Sequence, residues 1–300
     1  MTGSVVVGLD GSPRSVAAAW WAAGEAAARH LPLVLLHSWT THRPGGPLAH
    51  AAAAERDYGR SVLERAESEL RQRYGDLEMA RELVAEPAAQ ALLRHAPGAF
   101  MLVLGNHMQD APAGFPLGSV VLHVLGHAPC PVVAVRAGDP VVTVGRRPAA
   151  APDRSEIVVG LREPGGSDAP LLEFAYGSAQ VHGAGLHAVH VLRPPAPHRA
   201  APHRAAGHAP AGAGGPPPTG ARARLTAALE PWREKFPHVP TTEDVTDAPA
   251  AAALQSAAAH GLLTVIGRRR HPSRPGWMLG SVARAVLRQV PCPVAVVPHG

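Results

Sequence analysis

Short uninterrupted apolar runs alternate with longer segments of helical periodicity along the whole chain. Val5 to Leu9 reads as a strand buried on both faces and Leu33 to Ser38 as a second buried strand, the pattern of an interior parallel sheet; Met79 to Ala85, Phe100 to Leu104 and Pro131 to Arg136 are read as the third, fourth and fifth strands. Between them, Ser15 to His30 carries Val16, Ala19, Ala23 and Ala27 along one helical face, with Ser12 as N-cap and Pro13 in the first turn. A long helix from about Ala51 to Tyr74 places Val62, Leu63, Ala66 and Leu70 at helical spacing. Shorter helices are predicted from Pro87 to His95 and from Ser119 to Gly126. Alternating strands and helices imply right-handed crossovers and a sheet covered on both sides.

The pattern then repeats. Ile157 to Leu161, His187 to Leu192, Val239 to Val245, Leu262 to Gly267 and Pro293 to Val297 supply a second set of strands. Gly105 and Gly267, Gly118 and Gly280, Ser119 and Ser281, and Cys130 and Cys292 all stand 162 residues apart, without a gap. Near the start of each copy the offset is 152, from Gly8 to Gly160, so the second copy holds about ten extra residues. A fixed offset of this length marks a duplicated domain. The expected organisation is a domain over 1–137, a linker over 138–155, and a second domain over 156–300 with a Pro/His-rich insertion at 194–220.

Bulk composition narrows the function. Three hundred residues suit two domains, and no run of about 18 apolar residues suggests a membrane span. No charged segment followed by an apolar one opens the chain, so cytoplasm is the expected location. The net charge of +5 would point to nucleic acid, but one lysine, Lys235, stands against 27 scattered arginines, and no recognition motif accompanies them. Cys130 and Cys292 each lie between prolines at a strand start, where a small buried thiol is expected ahead of a bridge between the halves. His198, His203 and His208 recur every five residues, a spacing that rotates a helix by about 140° and so builds no metal face. Their surroundings read as a flexible insertion.

In doubly wound sheets, ligands bind beyond the carboxyl ends of the strands where strand order reverses. Two loops of the first copy lie there. One carries Asp10. The other runs from Gly105, where a glycine lets the chain leave the strand in an unusual conformation, to Gly118 and Ser119, which open a helix whose free N–H groups attract phosphate. A plainer reading, an ordinary helix cap and an Asx turn, stays open on these residues alone.

The run VVGLDGS at the start, and Gly–loop–LGSV–helix–PCPV at the end of each copy, resemble the universal stress protein family in tandem form. The resemblance implies two α/β doubly wound domains, each a five-stranded parallel sheet of order 3-2-1-4-5, joined through their last strands as an intramolecular pseudo-dimer, with further homodimerisation open. It also implies ATP as ligand, with or without Mg2+. Residues matching the family's ATP motif are Asp10, Gly105, Gly118 and Ser119 in the first copy and Gly267, Gly280 and Ser281 in the second, with backbone near His37 and Ser38 facing the adenine. Met108 and Arg270 replace the motif's second glycine, and Arg162 replaces the aspartate. Arg268 to Arg270 are expected to offset the missing glycine with positive charge. ATP binding is therefore expected chiefly in the first copy. A protein that binds partners through degenerate pockets and a slow ATPase are the alternatives. No P-loop is present, and Asp110, His107 and His123 suit loop or helix-surface roles, so the chain is not expected to be an enzyme.

Overall fold

The computed structural model describes residues 3–39, 48–106, 119–138, 154–192, 219–269 and 279–299. The linker residues 139–153 and insertion residues 193–218 fall outside them. In the first half, β1 (Ser4–Gly8), α1 (Pro13–Arg29), β2 (Leu33–Ser38), α2 (Leu48–Arg71), β3 (Met79–Val84), α3 (Ala88–His95), β4 (Ala99–Gly105), α4 (Ser119–His127) and β5 (Val132–Val135) follow in order. The second half repeats them as β6 (Glu156–Leu161), α5 (Ala169–His182), β7 (Gly185–Val191), α6 (Thr219–Lys235), β8 (Thr241–Thr246), α7 (Ala250–Ala257), β9 (Gly261–Arg269), α8 (Ser281–Gln289) and β10 (Val294–His299). Thr219 and Gly220, the last two residues of the expected insertion, belong to α6.

Each half has the strand order 3-2-1-4-5, and the two sheets are one. The ten strands run β3-β2-β1-β4-β5-β10-β9-β6-β7-β8. All neighbours are parallel except β5 and β10, which pair antiparallel with Val294 opposite Ala134, Ala295 opposite Val133 and Val296 opposite Val132. That pairing covers two edges made almost wholly of valine and alanine, which would otherwise template association with another chain. On one face, α1, α2, α5 and α6 contribute a single apolar layer; on the other, α3, α4, α7 and α8 contribute the second. Both layers contain residues from both halves.

Helix α1 shows how the sequence sets the packing. The Ser12 side chain accepts from the Ser15 N–H, Pro13 opens the helix, and His30 closes it in the left-handed region at φ 54°. Ala18, Ala19, Ala22, Ala23 and Ala26 are fully buried and let the helix lie close on the sheet. Of the expected stripe, Ala19 and Ala23 are fully buried while its ends, Val16 and Ala27, are half-exposed. Burial also extends to Glu25 and Arg29, because α5 of the other half packs there.

Those two residues form a polar cluster across the seam. Arg29 pairs with Glu25 at 3.0 Å, and its guanidinium donates to Ser178 Oγ at 2.8 Å and lies 4.9 Å from the centre of the Phe100 ring. Glu25 meets His182 Nε2 at 2.5 Å. On the opposite face, Asn106 Nδ2 and an Arg136 nitrogen donate to the Leu287 carbonyl, at 3.0 and 3.1 Å, and Arg268 donates to the Gly126 carbonyl at 2.7 Å and to that of Ala128. Side chains from each half therefore hold the end of the other half's last helix, where carbonyls lack partners within the helix. Cys130 and Cys292 are both buried free thiols, and burial pushes that of Cys130 up to about 11. Among the described residues, no helix is long and apolar enough to cross a membrane.

Burial alone would push the Glu25 carboxyl up, but hydrogen bonding and charge from His182 and Arg29 outweigh it and hold it below the ordinary 4.5. A depressed carboxylate contributes stability that is complete above the unfolded value and lost as pH falls through the folded one. Glu25→Gln leaves the Arg29 charge buried without its counter-ion and is expected to cost about 3 kcal/mol at neutral pH. Urea denaturation from pH 7 down to pH 3 checks this: the gap between variant and unaltered protein should close as pH drops below 4.5.

Candidate functional site

Strands β1 and β4 are neighbours, with Val7 opposite Val103, so the loops leaving their carboxyl ends emerge side by side at the reversal of strand order. Asp10 stands at this lip, exposed. Its Oδ1 accepts from the Ser12 N–H at 2.9 Å, its own N–H donates to Ser15 Oγ at 3.2 Å, and its carbonyl accepts from the Tyr58 hydroxyl at 3.3 Å. The Asx turn is thus real, and it fixes the carboxylate at the lip instead of removing it. Gly11 turns the chain at φ 81°, where a side chain would also run into Tyr58.

Gly105 is required for a different reason from the one its sequence suggests. Its φ is not positive; a Cβ there would lie 2.8 Å from the Arg14 carbonyl carbon and 2.9 Å from the Ser15 nitrogen. The first turn of α1 rests directly on the end of β4, and no flexible side chain is available to yield. Gly118 and Met108 lie outside the described residues; α4 begins at Ser119, whose side chain is likewise outside them.

His37 and Ser38 close β2 beside this lip. The buried His37 ring donates from Nδ1 to the Leu9 carbonyl at 2.8 Å, and the Ser38 hydroxyl donates to the Glu86 carbonyl. Both side chains secure neighbouring backbone, so a ligand would meet these residues through their main chain, as the family resemblance implies.

The second half arranges the same positions differently. Gly280 is exposed, with open space where a Cβ would stand, and Ser281 opens α8 without a side-chain cap. Gly267, however, is covered by the imidazole of His299, and a Cβ there would collide with that ring. Helix α5 starts seven residues after Arg162, whereas α1 starts three after Asp10, and His299 occupies the ground that the first turn of α1 holds in the first half. His299 Nδ1 donates to the Ser167 carbonyl at 3.1 Å and lies 3.6 Å from buried Asp168. Burial raises the Asp168 carboxyl and lowers the His299 imidazole, so both lean toward their neutral forms.

Arg162 is exposed, 3.7 Å from Glu163, which also pairs with Arg269 at 3.4 Å. The expectation that Arg268 adds charge for a phosphate is overturned. Its guanidinium is buried and spent on the carbonyls of Gly126 and Ala128 across the seam. Arg270 lies outside the described residues. Sequence reasoning also passed over Tyr58, His299 and Asp168. The one visible signal was an aromatic beside a glycine in the polar segment ERDYGRS.

A family model described as the universal stress protein family matches residues 1–136 and again 154–298. The chain belongs to this family. A universal stress protein of Mycobacterium tuberculosis is 29% identical, over 97% of this chain and 96% of its own. Its counterpart in Mycobacterium bovis gives the same figures. Among solved structures, a universal stress protein from Archaeoglobus fulgidus superposes over the full length of both chains with a TM-score of 0.72 at 16% identity, a likeness of fold. One from Pseudomonas aeruginosa covers 99% of this chain and 94% of its own, with a TM-score of 0.58 at 18% identity.

For this universal stress protein, Gly105→Ala should cost roughly 1–3 kcal/mol, because overpacking against rigid backbone must shift α1. Gly280→Ala should cost no more than about 1 kcal/mol, since among the described residues nothing meets a Cβ there and only the N-cap preference for Gly over Ala is lost. Thermal and urea denaturation of the two variants check the contrast.

Proposed function

We propose that this tandem universal stress protein binds an adenine nucleotide, ATP, in its N-terminal half and works as a nucleotide-responsive binding protein without rapid chemistry. The observation that carries the reading is the asymmetry between the lips of the two halves. In the first, an exposed carboxylate is fixed by its own turn next to the strand whose end is Gly105. In the second, an arginine replaces the carboxylate and an imidazole covers the glycine. A helix N-terminus suits the phosphates, and an acidic residue suits a ribose hydroxyl, a base amino group, or a magnesium ion arriving on the phosphates. Among the described residues, no group of three or more His, Cys, Asp or Glu side chains is gathered to hold a metal by itself. Magnesium therefore enters this reading with the nucleotide, and Asp10 is the acidic group beside it.

The antiparallel β5–β10 junction supports treating the chain as an intramolecular pseudo-dimer. The His299 cover over Gly267 favours a different role for the second half, that of a partner-binding or purely structural lobe.

Isothermal titration of the full chain with ATP and magnesium tests the reading. One ATP per chain is expected, with binding weakened at least tenfold by Asp10→Ala and unchanged by Ser281→Ala. Two equal sites, or sensitivity to Ser281 with indifference to Asp10, would overturn it. Phosphate release should stay at the buffer rate.

A further inference from the structure

Helix α2 carries its buried stripe at Val62, Ala66 and Leu70, four residues apart. One step earlier on the same stripe stands Tyr58. It is 55% exposed, one of two large apolar side chains so open among the described residues. The stripe has run past the carboxyl edge of the sheet, and its last member overhangs the lip where Asp10 and His37 lie. A core-facing position filled by an aromatic that the core does not cover calls for another occupant of its face.

The ring is held in place. Its hydroxyl donates to the Asp10 carbonyl, and its plane meets the His37 ring edge to face, centroids 6.1 Å apart at 70°. Space has been cleared around this pair at two positions. A side chain on Gly11 would strike the Tyr58 hydroxyl, and one on Gly59 would strike the His37 ring. An aromatic fixed along one edge loses little freedom when a flat ligand covers what remains open. Among the described residues the second half shows nothing equivalent. The offset of 162 that matches Leu63 to Leu225, both buried, sets Gly220 where Tyr58 stands and Ala221 where Gly59 stands.

We propose that Tyr58 supplies the aromatic surface on which the nucleotide base packs, and so gives the N-terminal half its preference for a nucleoside over a bare polyphosphate. This rests on the reading that the N-terminal half binds ATP. Base–aromatic packing is tolerant of ring identity and needs the tyrosine ring, not its hydroxyl. A tyrosine that merely latched the Asp10 loop would need the hydroxyl and would affect every ligand alike.

Titrations of the full chain with ATP and with inorganic tripolyphosphate, on unaltered protein, Tyr58→Phe and Tyr58→Ala, separate these roles. Circular dichroism first establishes that the variants are folded, which the exposure of the residue favours. Expected is a loss of about tenfold in ATP affinity for Tyr58→Ala, near-native affinity for Tyr58→Phe, and tripolyphosphate binding equal in all three. Equal ATP affinity in Tyr58→Ala overturns the proposal. So does a Tyr58→Phe variant as weak as Tyr58→Ala, or a parallel loss for tripolyphosphate, since each marks a latch. If unaltered protein takes up no ATP, the N-terminal site reading fails and this inference falls with it; the other failures leave that reading standing.

Discussion

Three residue pairs between β5 and β10 determine how the rest of the molecule is arranged. Once those short, apolar edges pair antiparallel, the two five-stranded sheets become one, and helices from both halves are forced together on each face. On one side α1 meets α5. On the other α4 and α8 flank the seam. Small residues permit the approach, as the fully buried alanines of α1 show. The polar groups caught there must then be matched inside the protein, because a buried group without a partner is costly. Glu25, Arg29, Asn106 and Arg268 are those groups, and each finds its partner in the opposite half or its own helix.

Duplication gave two similar lips, and local changes made them unlike. A later helix start, EPGGSDA against GSP, sets α5 four residues further from Arg162 than α1 lies from Asp10. The helix no longer rests on the glycine strand end, and His299 fills the gap. This exchange replaces backbone packed on backbone with an imidazole wedged beside a buried carboxyl, and it alters the floor of the lip without disturbing strand order. Fold and site thus answer to different residues. The valine runs keep the sheet; a handful of loop positions decide what its edge can receive.

Much of the fold could be read from the chain because its signals are local and redundant. Continuous apolar runs have no plausible place except an interior parallel strand, and Ser12-Pro13 announces a helix start by its own chemistry. The stripe on α2 was equally plain. What the chain did not disclose were consequences of distant segments meeting. The stripe through Ala19 and Ala23 is buried as its spacing suggests, but α5 also arrives beside it and buries Glu25 and Arg29. Gly105 looked like a conformational hinge, whereas its need is space, set by a helix far earlier in the chain, beginning at Pro13. Arg268 resembled a phosphate ligand until its position at the seam claimed it. Tyr58 was invisible for a related reason: periodicity tells which face of α2 turns inward but not how far the helix overshoots the sheet.

The seam cluster also bears on why the two halves stay in one polypeptide. His30 and Gly183 terminate α1 and α5 alike, at φ 54° and 60°, so Arg29 corresponds to His182 and Glu25 to Ser178. Around the local twofold, a glutamate faces a histidine on one side while a serine faces an arginine on the other. Two separate copies of either half would have to repeat one residue at both places. Fusion lifts that constraint, and the chain has used it to write a handed junction whose two sides carry different chemistry.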